Sequence, residues 1–195
     1  VLFLSKVLIF DIDGVVCDCS VRLARYSDHQ ALERGDYNAF RVSMTAYNQS
    51  DVDEDIPIVP GIDLFNSLRD FHKPDRTIFL TSRGEESRYN TLNWLREHVA
   101  YALPGGDLIM RPAYIESGAG IFWRDGEPRF YSVDFKRQET IKILDSHDVV
   151  IALDDHLPIC EMYQSIGVPA LHVKWPGVDC ISKSGMSHES IHVRK

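Results

Sequence analysis

The chain has 195 residues, 44% of them hydrophobic and 26% charged, with a formal net charge of −8. That length and balance fit one soluble domain that buries its own core without disulfide or metal staples. The acidic excess argues against tight, sequence-blind binding of long nucleic acid, and the apolar runs are strand-sized, too short to span a bilayer. It leaves room for a small phosphorylated molecule or a strand end, because a metal and a few local cations offset local acidity.

Lys6 to Phe10 reads as a fully buried strand that runs into DIDGVVCD. The opening VLFLSKVLIFDID has no small-residue cleavage site before those acids, so it is read as strand rather than signal peptide. From Val21 to Tyr47 apolar residues recur at three- and four-residue spacing, and Gly35 divides the stretch into two expected helices. Gln49 to Asp55 is polar and acidic, and Pro57 and Pro60 punctuate a loop. A helix is expected over Ile62 to Phe71, a strand over Thr77 to Leu80, a helix over Glu86 to Val99 and a strand over Asp107 to Met110. Ile121 to Trp123 and Arg129 to Tyr131 flank Asp125-Gly126, the pattern of a hairpin. A helix over Phe135 to Leu144, a strand over Val149 to Leu153, a helix over Ile159 to Ile166 and a strand over Ala170 to Val173 complete the pattern. The polar tail from Ser182 onward is expected to fray.

Strands alternating with helices predict an α/β fold, a central parallel sheet flanked by helices in three layers. Ligands of such sheets collect beyond the carboxyl ends of the strands. Asp11 and Asp13, Thr81 to Arg83, Arg111, and Asp154-Asp155 should therefore converge. Two acids one residue apart beyond a buried strand repel each other unless a cation lies between them, and Gly14 lets the chain turn after them. A hydroxyl, backbone amides entering a helix and a guanidinium, as in Thr81-Ser82-Arg83-Gly84, make a phosphate cradle. Asp154-Asp155 suits a hard cation and its waters. Each piece also has a plain reading as a loop or helix cap; their order at successive strand ends is what calls for one explanation. Cys17, Cys19, Cys160 and Cys180 form no disulfide framework and are read as reduced thiols of a cytoplasmic protein.

The combination resembles the haloacid dehalogenase superfamily of phosphatases over Lys6 to about Val173. DIDGVVCD is similar to its first motif, FLTSRG to its second, a downstream lysine to its third and VIALDDH to its fourth. LTSRGE followed by LIMRP and DDH further resembles the phosphatase half of bacteriophage polynucleotide kinase and related phage phosphatases. Tyr37-Asn38-Ala39-Phe40 and Asp55-Ile56-Pro57-Ile58 look like the helix and turn that those relatives carry between the first two motifs. The resemblance implies a single Rossmann-like phosphatase domain over 1–195, with a small helical cap at about 20–58 and a hairpin insert at about 114–132.

It also implies roles. Asp11 would attack phosphorus and become an aspartyl-phosphate, and Asp13 would protonate the leaving oxygen and then activate water. Asp11, the main-chain carbonyl of Asp13, and Asp154 or Asp155 would hold Mg²⁺. Thr81 and Lys136 would bind phosphoryl oxygens, with Lys142 as the other candidate lysine and Asp134 as a residue able to orient Lys136. Ser82, Arg83 and Arg111 would contact the substrate. The implied activity is Mg²⁺-dependent phosphomonoester hydrolysis on nucleotides or on 3′-phosphate ends of nucleic acid. The alternatives are a 5′(3′)-deoxyribonucleotidase acting on free mononucleotides, and a non-catalytic binding module that keeps the fold. Both motif acids are present, which disfavours the module. No GxxxxGKS/T loop occurs, so no kinase half is expected in this sequence. Tyr114 to Tyr131 departs from the phage relatives, and its aromatics read either as a platform for a base or as a lid packing on itself. Neither a membrane partner nor an oligomeric state is indicated.

Overall fold

The computed structural model describes residues 4–100, 107–112, 121–124, 127–178 and 180. Strand β1 (Ser5–Phe10) is flanked by β4 (Arg76–Gly84) and β8 (His147–Asp154), with β5 (Leu108–Arg111) and β9 (Ala170–His172) at the edges. The five run parallel in the order β5-β4-β1-β8-β9. Parallel neighbours need crossovers, and these are helices: α4 (Val59–His72) before β4, α5 (Arg88–His98) before β5, α6 (Tyr131–Leu144) before β8 and α7 (Leu157–Ser165) before β9. The expected three-layer α/β architecture is what the chain adopts.

The two-residue alternation of a strand sorts the core into two faces. Leu8 and Phe10 point to one side and pack with Phe65 of α4, Phe79, Trp94 and Leu95 of α5, and Leu153. Phe10, Phe65 and Phe79 form an aromatic trio with ring centroids 5.0 to 6.2 Å apart. Val7 and Ile9 point the other way, to Ile78, Leu80, Phe135 and Ile143 of α6, and Ile159, Met162 and Tyr163 of α7. Burial on both faces explains why β1 reads as an unbroken apolar run.

Between β1 and α4 the chain makes a helical insert. Short strands β2 (Cys17–Asp18) and β3 (Ile56–Pro57) pair antiparallel at its base, and α1 (Ser20–Tyr26), α2 (His29–Glu33) and α3 (Tyr37–Gln49) lie between them. Three helices stand where two are expected from the pattern. Asp28 accepts a hydrogen bond from the Ala31 amide and Asp36 from the Ala39 amide, so each starts a separate helix. The β2–β3 ladder replaces part of an expected loop, since two residues carry no periodicity. Helix α4 begins three residues before the expected Ile62, since Pro60 in the first turn gives up an amide that has no helical partner there. Strand β4 runs on past Leu80 to Gly84, a 3₁₀ turn (Glu85–Ser87) precedes α5, and α6 begins at Tyr131, four residues before the expected Phe135.

Strands β6 (Ile121–Arg124) and β7 (Glu127–Phe130) pair antiparallel as the expected hairpin. Its Asp125-Gly126 turn, its approach over 113–120, the side chains that would make an aromatic platform, and the polar tail at 182–195 lie outside the described residues. Among the described residues no helix is long and apolar enough to cross a membrane.

Gly61 sets how closely α4 approaches the loop after β1. A Cβ built on it would overlap the Val15 carbonyl oxygen, which is main chain and cannot swing away. Gly61→Ala is expected to destabilise the protein by about 1–3 kcal/mol, read from the denaturation midpoint, because a methyl group is forced into a closed contact.

Candidate active site

Chain order reverses on either side of β1, so the cleft forms where β1 and β8 end side by side. Asp11 follows β1 directly, and its amide donates to the Leu153 carbonyl at 2.9 Å, which locks the loop onto β8. The Ile12 carbonyl then accepts from the amides of Val15, Val16 and Cys17, curling the chain into a tight turn over Gly14. Gly14 has φ +72°, and a Cβ there would overlap the Asp155 carboxylate. Only glycine meets both demands, so this residue lets Asp155 close over the turn.

One cluster is built on a buried lysine. Lys136 in α6 reaches Asp11 Oδ2 at 2.9 Å and Asp154 Oδ2 at 2.7 Å. These two acids, rather than Asp134, hold it. Lys142 lies on the surface and pairs with Glu139. Asp154 Oδ1 accepts the His156 amide at 3.0 Å. Asp11 Oδ1 and Asp155 Oδ1 are buried without a hydrogen-bond partner, and carboxylate oxygens of Asp11, Asp154 and Asp155 lie within 4.8 Å of one another. Burial pushes the Asp11 carboxyl up to about 7, Lys136 pulls against it, and Asp154 and Asp13 push with it. Asp155 is pushed well up by burial, then by Asp154 and Asp11. Lys136 holds its proton more tightly than usual, because the surrounding carboxylates outweigh its burial.

A second cluster surrounds Arg83. The register between β4 and β5 slips between Thr81 and Gly84, so Ser82 and Arg83 sit on a bulge that re-aims their side chains. Arg83 grips Asp13 through Nε at 3.0 Å and Nη2 at 2.6 Å. Its Nη2 also contacts Asp55 at 2.6 Å and Cys17 Sγ at 3.2 Å. Burial alone would raise the Asp13 carboxyl, but the guanidinium holds it down at about 2. Asp55 is shared with Arg22, which meets it at 2.7 and 2.9 Å, bonds the Tyr47 hydroxyl at 3.0 Å and lies over the Tyr47 ring. Asp13–Arg83–Asp55–Arg22 is thus one run of alternating charge from the loop after β1 into the helical insert, ending on the neutral Tyr47 hydroxyl.

The sequence pattern aims Arg83 at a substrate phosphate. In the structure the guanidinium is turned inward onto two carboxylates. Arg22 escapes a reading by motif, because an arginine in a short helix looks in sequence like any solvated one. Asp55 stands out only as the first residue of a turn. Asp55→Ala leaves two buried guanidinium groups without their shared anion, and a loss of about 3–5 kcal/mol is expected from chemical denaturation. Arg25→Ala, which breaks the exposed pair with Glu54 on the same insert, should change stability by less than about 1 kcal/mol.

The remaining expected residues flank these clusters. Phe10 is in register with Phe79, so Thr81 emerges beside the loop after β1, and its Oγ1 accepts the Arg83 amide at 3.2 Å. Ser82 Oγ is buried without a hydrogen-bond partner. Arg111 ends β5 opposite Gly84 and is buried. Neither Thr81 nor Ser82 caps the following helix, for Gly84 stands at the start of the 3₁₀ turn.

No family model matches the chain, and no curated protein does. Solved structures do. A haloacid dehalogenase-like hydrolase family protein from Streptococcus pneumoniae superposes with a TM-score of 0.54 at 13% identity, over 93% of this chain and 89% of that one. A chain of the Pnkp1/Rnl/Hen1 RNA repair complex superposes with a TM-score of 0.51 at 19% identity, over 88% of this chain. The present chain spans 43% of that protein's length. These likenesses identify the fold.

Proposed function

We propose, from a chain that carries the haloacid dehalogenase-like fold, that it hydrolyses phosphomonoesters by double displacement at Asp11. One observation carries this reading: Asp11 directly follows the central strand with Oδ2 on the Lys136 ammonium and Oδ1 unpartnered, while Asp13 stands two residues on in the grip of Arg83.

The buried, unpartnered oxygens of Asp11 and Asp155 beside Asp154 fit a hard divalent cation, since three clustered acids are costly without one. Asp11, Asp154 and Asp155, with the main-chain carbonyl of Asp13, would hold it. When bound, Mg²⁺ supplies charge neutralisation and polarises the phosphoryl group. The other steps belong to the chain's own residues. The Asp11 carboxylate attacks phosphorus in line, and the bond to the leaving oxygen breaks. Lys136 fixes the Asp11 carboxylate, and its charge, with the Thr81 hydroxyl, meets oxygens that gain charge during transfer. Asp13 gives its proton to the leaving oxygen and then takes one from the water that hydrolyses the aspartyl-phosphate. Arg83 holds Asp13 ionised in the resting enzyme, ready as the base. A phosphoryl dianion entering the cleft raises the proton affinity of Asp13 and favours its acid form.

Nucleotides or 3′-phosphate ends are the substrates this reading favours. The helical insert is small, the Ser82 hydroxyl is unpartnered, and one structural neighbour is part of an RNA repair complex. Purified protein with Mg²⁺ is expected to release phosphate from an aryl phosphate, and faster from a 3′-phosphorylated oligonucleotide. A higher rate on 5′- or 3′-mononucleotides would select the nucleotidase instead. Equal rates would count against nucleotide selectivity, and a folded protein that releases no phosphate would count against hydrolysis.

A further inference from the structure

The geometry points to a thiol–disulfide switch between Cys19 and Cys180 that acts on Asp13. Cys19 stands at the start of α1, and its amide donates to Cys180 Sγ at 3.3 Å. Cys180 Sγ also lies 3.8 Å from the Cys17 carbonyl and 3.9 Å from Asp18 Oδ1, so it sits inside the loop that follows Asp13. Both cysteines are buried, with the Cys180 sulfur packed at the start of α1. Residues 161 positions apart in sequence are thus brought together beside the proposed acid–base group.

The contact is held from outside the thiols as well. The Val173 amide donates to the Asp154 carbonyl, and the Trp175 indole donates to the Val15 carbonyl at 3.0 Å. These bonds lay the segment after β9 across the turn that carries Asp13. The other cysteines are unsuited as partners. Cys17 Sγ is engaged by Arg83 and is one residue removed from Cys19, while Cys160 lies on α7 against the Asp154 carbonyl. All four are free thiols, so the pair is in its reduced state.

The oxidant is a small-molecule disulfide of the glutathione class. The Cys180 sulfur, having lost its proton, attacks one sulfur of that disulfide; the S–S bond breaks, and one small thiol leaves with a proton. The deprotonated Cys19 sulfur then attacks the Cys180 sulfur and expels the second small thiol with a proton. The protein loses two electrons and two protons, and the small disulfide gains both. The segment after β9 is then covalently tied to the loop after β1 that carries Asp13. A thiol reagent reverses the reaction.

The activity half of this inference rests on the phosphatase reading; the covalent half does not, so the test reads both. The full chain is incubated with oxidised glutathione and mapped by peptide mass without reduction, and phosphate release from an aryl phosphate is followed in parallel. The expected map joins the Cys19 and Cys180 peptides with loss of two hydrogens. Phosphate release is expected to fall by about tenfold or more, since acid–base assistance is perturbed, and to return with dithiothreitol. Cys180→Ser should begin at the wild-type rate and ignore the oxidant. A map without the Cys19–Cys180 link overturns the switch, whatever the activity. A complete link with undiminished phosphate release overturns its action on Asp13.

Discussion

Asp11→Asn is expected to lower phosphate release by about 10⁴-fold or more, because the amide neither attacks phosphorus nor carries the phosphoryl group onward. The same change should make the metal-free protein more stable at pH 8. The Asp11 carboxyl has its proton affinity raised from an ordinary 3.8 to about 7 by burial and by its acidic neighbours. A carboxyl raised in the folded state stabilises fully below its unfolded value. That contribution disappears as pH rises through the folded value, here between about 4 and 7. Wild-type protein without metal should therefore lose stability over that window more steeply than the variant. Mg²⁺ should restore it in the wild type and do little for the variant. Thermal melts at pH 5 and pH 8, with and without Mg²⁺, read the whole pattern. An asparagine variant that melts like the wild type at both values would contradict the strain assigned to this carboxylate.

Lys136→Met is expected to cost about 3–5 kcal/mol at pH 8, the loss associated with removing one partner of a buried charge cluster. The lysine is fully buried between Asp11 and Asp154, and methionine fills the space without the charge. Burial lowers the proton affinity of Lys136 and the carboxylates raise it by more, so its stabilising charge persists to strongly alkaline pH. Any pH dependence of the deficit thus comes from the acids. Without the ammonium their folded values rise further, and protonation towards pH 5 should close part of the gap. Urea denaturation at the two pH values measures this. A deficit under about 1 kcal/mol at both would contradict the charge arrangement described here. Phosphate release should fall as well, since the same ammonium orients the Asp11 carboxylate.

Much of this fold can be read along the chain, because a sheet buried on both faces leaves apolar runs that end in polar residues. Those ends suffice to mark Asp11 and Asp154 as neighbours, with Thr81 on the adjoining strand. Strand order is a different matter: the placing of β1 between β4 and β8 follows from how helices cross over the sheet, which no single run records. The β2–β3 ladder is too short to leave a pattern. Lys136 has no local signature, for a lysine early in a helix is ordinarily solvated, and only the family resemblance selects it. Arg22 is silent for the same reason, and Asp55 shows only as the first residue of the turn at Asp55-Ile56-Pro57-Ile58. Their burial is decided by partners 33 residues apart. The inward turn of Arg83 depends on a bulge between β4 and β5, which a sequence pattern does not display. Local chemistry names the acids, and long-range packing decides which cation each one meets.

Whether Asp11 carries the phosphoryl group can be tested directly by trapping it. Enzyme is acid-quenched during turnover, reduced with borohydride and mapped by peptide mass, since reduction converts an aspartyl-phosphate to homoserine. Double displacement at Asp11 predicts homoserine at position 11. Modification of a different carboxylate, or turnover that leaves every aspartate intact, would contradict it.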